Sequence, residues 1–115
     1  MRSIWIATGL AVLAGAVAGH SVATAASAEK GKVAYMKYGC WQCHGTVGQG
    51  GNAGPKLAPE PLPQDAFVSF VRTTNRQMPP YHEAVLSNED LADIYAYLQA
   101  QPKAANHKDI PLLNQ

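Results

Sequence analysis

The sequence predicts a small single-domain, all-α fold of three main helices packed around one covalently held group. Two observations carry this. Three stretches hold apolar residues at helical spacing and are separated by loops, the longest of them rich in glycine and proline. Between the first two stretches stands Cys40-Trp41-Gln42-Cys43-His44, the pattern at which haem is attached to protein.

Taken in order, the chain opens with Met1-Arg2, a positive start, followed by Ile4 to Gly19, which carry no charge and are rich in Ala, Val, Leu and Gly. Two small-residue motifs follow, Ala23-Thr24-Ala25 and Ala26-Ser27-Ala28, and both fit the A-x-A rule of signal peptidase. The expected layout is a cleaved signal peptide over 1–28, a folded domain over 29–102 and a C-terminal tail over 103–115, with cleavage before Glu29. An uncleaved membrane anchor is the weaker reading, because the strongly apolar part is shorter than the ~20 residues that span a bilayer. Removing 28 of the 115 residues leaves 87, room for a single domain. A chain of that size buries only about 60% of its unfolded surface, so its own core is marginal. A flat, mostly apolar cofactor tethered at two points gives short helices something to pack around.

The first helix is expected from Glu29 to Tyr38, where Val33, Met36 and Lys37 keep helical spacing and Gly39 breaks the element. Gly31 stands out within it. A glycine inside a short helix costs about 1 kcal/mol relative to alanine, which points to close approach by another backbone or ring.

The pentapeptide then explains its own residue types. Two thiols three positions apart on one turn each add to a vinyl group along one porphyrin edge, and the histidine that follows is carried beneath the macrocycle as proximal ligand. Cys40 and Cys43 are therefore the covalent attachment points and His44 the first axial ligand; Trp41 and Gln42 are spacers. A dithiol redox centre would want a preceding strand and a βαβ context, and the surrounding sequence offers neither. Structural zinc needs four ligands, and the chain has no second cysteine pair.

From Gly45 to Pro63 the sequence is least regular, with five glycines among the ten residues from Gly45 to Gly54 and four prolines at 55, 59, 61 and 63. Gly48 to Ala53 formally matches a dinucleotide G-x-G-x-x-A, but no strand precedes it and no helix can follow through those prolines. A loop wrapping one haem edge is expected instead. The second helix spans Gln64 to Arg72, with Phe67, Phe70 and Val71 as an apolar stripe facing haem or core.

Arg76-Gln77-Met78-Pro79-Pro80-Tyr81 is the second segment that carries chemistry. A thioether is a soft, uncharged ligand that favours ferrous iron, and two prolines let a loop hold sulfur in place without forming a helix or strand. Met1 is the initiator, and Met36 lies four residues before Cys40, where packing is expected. Met78 lies 34 residues beyond His44, enough chain to cross to the distal side as sixth ligand. His82 is the rival, expected to be solvent-exposed. The third helix follows, with Ser87 and Asp90 resembling a capping box and Leu91, Ile94, Tyr95 and Leu98 at i, i+3, i+4 and i+7. Glu89, Asp90 and Asp93 suit the positive end of its dipole, and Pro102 stops it. In the tail, Ile110-Pro111-Leu112-Leu113 is more apolar than a solvated end requires.

Without Arg2, eight basic residues face eight acids, and nothing suggests nucleic acid. Both cysteines are used by haem, so no disulfide is available.

The region from about Glu29 to Pro102 resembles a bacterial class I cytochrome c, on Cys40, Cys43 and His44, on Gly54-Pro55 with Leu57, and on Met78-Pro79-Pro80-Tyr81. The resemblance implies crossing of the first and last helices, with Tyr95 or Tyr97 against Gly31, and a bond from His44 Nδ1 to the Pro55 carbonyl. Pro55, Leu57, Phe67, Phe70, Pro79 and Tyr81 would then form the haem surroundings, and Arg72 or Arg76 would either meet a propionate or stay solvated. The span from haem motif to Met78 is short for the family. The neutral charge lacks the basic face of the mitochondrial carrier.

With His44 and Met78 both on iron, no position is open to a small-molecule substrate, and the expected role is a periplasmic one-electron carrier, not an enzyme. Its partners would be a periplasmic dehydrogenase or a membrane-bound oxidase or reductase. The alternatives are a bound electron-transfer subunit of such a complex, motivated by the tail, and a haem enzyme or gas sensor with an open sixth site.

Overall fold

The computed structural model describes residues 25–114 and contains four α-helices: α1 (Ala28–Lys37), α2 (Trp41–His44), α3 (Gln64–Thr73) and α4 (Asn88–Gln99). Two 3-10 turns, His107–Asp109 and Pro111–Leu113, lie in the tail. Among the described residues there is no strand. The three main helices match the expected ones to within one or two residues at most ends, and α2 is the single turn that carries the haem motif. None of the described helices is long and apolar enough to cross a membrane. The leader expectation rests mainly on residues 1–24, outside those described.

Each main helix begins where local chemistry supplies a start. Ser27 caps α1 by accepting from the Lys30 N–H at 3.3 Å, and Ser87 caps α4 by accepting from the Asp90 N–H at 3.0 Å. Each satisfies a donor that the helix itself leaves free. Pro63 precedes α3, where a fixed φ and a missing N–H cost nothing.

The crossing of α1 over α4 organises the molecule. At Gly31 a Cβ would run into the Asp93 backbone carbonyl and lie 2.9 Å from the Tyr97 Cβ, so only a residue without a side chain lets the backbones approach this closely. Tyr97, and not Tyr95, is the aromatic at this point. The contact is sealed by polar bonds. The Ser27 N–H donates to Asp93 Oδ1 at 2.6 Å, which gives the buried carboxylate its partner, and Tyr38 donates to Asp90 Oδ2 at 2.8 Å.

The buried face of α1 is Gly31, Ala34 and Tyr35, not the Val33–Met36 stripe. Val33 is 68% and Met36 40% exposed, so the expectation of packing for Met36 is corrected. Close helix crossing selects small residues at 31 and 34 and one large ring at 35, and that pattern has little apolar contrast along the sequence. Tyr35, Leu86, Leu91, Ile94 and Leu98 are the largest fully buried side chains. Tyr35 packs on Tyr97 with ring centroids 5.5 Å apart, and Phe67 of α3 packs on Tyr95 at 5.2 Å. Such tilted pairs add roughly 0.5–1.5 kcal/mol beyond their area burial. Phe67 and Val71 face this core, whereas Phe70, expected on the same stripe, is 42% exposed.

Candidate haem-attachment site

Cys40 has helical backbone angles and leads directly into α2, so Cys40, Cys43 and His44 occupy positions i, i+3 and i+4 of one helical turn. That spacing brings all three side chains to one side of the turn. The turn is closed by the His44 N–H to the Cys40 carbonyl at 3.0 Å and by the Gly45 N–H to the Trp41 carbonyl at 3.0 Å. Neither cysteine is in a disulfide; Cys43 is exposed and Cys40 half-buried. Burial pushes the Cys40 thiol up to about 11, against a smaller opposing effect from a backbone hydrogen bond.

His44 is buried, and its Nδ1 lies 2.8 Å from the Pro55 carbonyl. A carbonyl only accepts, so Nδ1 carries the proton and the Nε2 lone pair is left for a metal. The glycine before Pro55 makes this geometry possible. A Cβ on Gly54 would lie 3.0 Å from the Cys43 carbonyl and 3.0 Å from both Cε1 and Nδ1 of His44, pressing on the imidazole from the side that Pro55 holds. Leu57 and Ala58 donate to the Gly48 carbonyl at 2.8 and 3.0 Å, folding the loop back, with Leu57 half-buried against the core.

Three tyrosines that sequence reasoning did not single out for this purpose fasten the site. Tyr35 donates to the Gly45 carbonyl at 2.8 Å, Tyr97 to the Thr46 carbonyl at 2.9 Å, and Tyr81 to the Tyr38 carbonyl at 2.8 Å. Two of these hydroxyls hold the chain just after His44, and the third holds it just before Cys40. Burial raises the pKa of all three phenols. A tyrosine at a core-facing helical position has to place its hydroxyl somewhere, which is the one signal that the sequence offered.

Met78 is half-buried and packs against the core, as does Tyr81, while Pro79 and Pro80 between them are exposed. His82 is exposed, and its carbonyl accepts from the Val85 and Leu86 N–H groups at 2.9 and 3.0 Å. Arg72 is turned to the protein itself. Its guanidinium donates to the Tyr81 carbonyl at 2.7 Å, the Leu86 carbonyl at 2.6 Å and Asn88 Oδ1 at 2.7 Å. Arg72 is therefore not a solvated side chain: its guanidinium forms this clamp. Arg76 is exposed.

The donor set fits haem c: two cysteine sulfurs and an imidazole on one turn, with Nδ1 already committed to Pro55. A family model described as cytochrome c oxidase, cbb3-type, subunit III matches residues 26–98. The chain belongs to this cytochrome c family. It is a class I cytochrome c of all-α fold, from a family that binds haem c and transfers electrons. The match ends within α4 and leaves the tail outside. No curated protein and no solved structure matches the chain.

Proposed function

We propose that this cytochrome is a one-electron carrier of the periplasm, holding one haem c through Cys40 and Cys43 with His44 and Met78 as axial ligands. The observation that carries the proposal is the Cys40–His44 turn with Nδ1 fixed on Pro55. When bound, haem supplies a one-electron iron couple. The polypeptide binds it at two sulfurs, keeps the His44 proton on Nδ1, and presents Met78 from a core-packed loop as a soft ligand that favours the reduced state. The single attachment motif in the chain supports one haem. With His44 and Met78 both holding the iron, no position would be left for a substrate, as a carrier requires and a haem enzyme or gas sensor does not.

Periplasmic placement is supported by the leader pattern and by the need for haem attachment outside the cytoplasm. The Ser27 cap supports cleavage after Ala25 over cleavage before Glu29, because the latter would remove both the cap and the N–H that satisfies Asp93.

A second reading, a subunit bound within an oxidase or dehydrogenase complex, is favoured by the family's description as an oxidase subunit and by the tail. Leu112 is 79% and Leu113 64% exposed. The test is twofold. Mass measurement of chain exported with haem-attachment machinery should give one haem per polypeptide, lost on Cys40→Ala plus Cys43→Ala. Deleting 103–115 should leave co-purification with redox partners unchanged for a carrier and abolish it for a tail-docked subunit.

A further inference from the structure

The hydrogen bonds that hold the ligand loop to the helices converge on Tyr81, not on Met78, which is held by packing. Tyr81 is held three ways: its N–H donates to the Val71 carbonyl at 2.9 Å, its hydroxyl to the Tyr38 carbonyl at 2.8 Å, and its carbonyl accepts from Arg72 at 2.7 Å. From this anchor back to Met78 run only Pro79 and Pro80, whose rings fix φ and stiffen the connection. The same guanidinium also holds the Leu86 carbonyl and Asn88 Oδ1, so one planar fork on α3 locks the far end of the loop to the start of α4. A guanidinium presents its donors in a fixed geometry that an ammonium cannot reproduce.

We infer that Arg72 is the positioning residue for Met78: it fixes Tyr81 as the base of a stiff Pro-Pro arm and so sets where the thioether sulfur stands. The inference rests on Met78 being the sixth ligand, as proposed above. Arg72 never meets the iron. Its effect is on how often the loop lifts and releases the sulfur, a local opening that need not unfold the helices.

The test uses the haem-loaded full chain, comparing wild type, Arg72→Gln, Arg72→Lys, Asn88→Ala and Met78→Ala. Two signals are followed on heating the oxidised protein, the near-infrared sulfur-to-iron band and far-ultraviolet circular dichroism, with carbon monoxide uptake measured on the reduced protein. Loss of hydrogen bonds from a charged donor raises the open population by roughly tenfold or more. Arg72→Gln should therefore take up carbon monoxide about that much faster, and should lose the band at a lower temperature than its helices, whereas Asn88→Ala, which removes one of the three acceptors, changes uptake least. Arg72→Lys should fall between Arg72→Gln and wild type, and it carries the test if Arg72→Gln yields no holoprotein. Band and helix signals lost together, with uptake as in wild type, would show a merely structural role and overturn the inference. Met78→Ala separates the two ideas: a band that survives it removes the Met78 reading, whereas a band lost there but unmoved by Arg72 substitution removes only the clamp.

Discussion

Tyr35 shows how a single side chain serves both core and site. Its ring is fully buried against Tyr97, while its hydroxyl holds the Gly45 carbonyl just after His44. Tyr35→Phe keeps the ring and removes one of two donors on that carbonyl, the other being the Gly48 N–H at 3.2 Å, which should cost about 0.5–1.5 kcal/mol, read as a lower denaturant midpoint with unchanged slope. Burial also raises the phenol pKa of Tyr35 and Tyr97. The unfolded chain releases these protons near pH 10, whereas the folded chain holds them further into alkali. The stability linked to them is complete below about pH 10 and is lost as pH rises through the folded values. Phenolate absorbance followed beside circular dichroism should show both groups titrating late, with helicity falling above that pH; titration like free tyrosine would contradict the buried geometry. At this scale Cys40, Cys43 and His44 were legible because their chemistry demands a contiguous pattern. The Arg72 clamp was not, because its acceptors lie 9 to 16 residues away and two are backbone carbonyls, which leave no mark on composition.

The decisive element-scale contact is the α1–α4 crossing. Gly31→Ala would drive a methyl group into the Asp93 backbone, and overpacking of this kind costs roughly 1–3 kcal/mol; the thermal midpoint should fall accordingly, while a midpoint equal to wild type would mean that the helices do not meet here. The start of α1 carries a second expectation. Ser27 caps the helix and satisfies Asp93, so terminal sequencing of the exported protein should begin at Ala26. A first residue of Glu29 would mean that α1 folds without either bond. The third helix was legible in full because Ser87 and the Leu91–Leu98 stripe are strong local signals. The first was legible in extent but not in orientation: it buries Ala34 and Tyr35 where Val33 and Met36 carry more apolar weight, and which face is buried was decided by α4, not by α1 alone. On α3, Phe67 and Val71 of the stripe meet the core and Phe70 does not.

For the whole molecule, 87 to 90 residues remain on either cleavage, a size at which the core is marginal, and the polypeptide arranges its loops around one helical turn. The surface ion pair Lys103–Glu60, at 2.7 Å between well exposed groups, ties the tail to the proline-rich loop with little stability to contribute. The fold was legible from three periodic stretches and one attachment motif, whereas whether the tail meets a partner is not, since partner surfaces are fixed by a second molecule. The central claim is that one nitrogen, from His44, and one sulfur, from Met78, hold the metal. The near-infrared absorbance of the oxidised holoprotein tests it most directly, in wild type, Met78→Ala and His82→Ala. A sulfur-to-iron band is expected in wild type, persisting in His82→Ala and vanishing in Met78→Ala; absence of the band in wild type, or its survival in Met78→Ala, would contradict ligation by Met78.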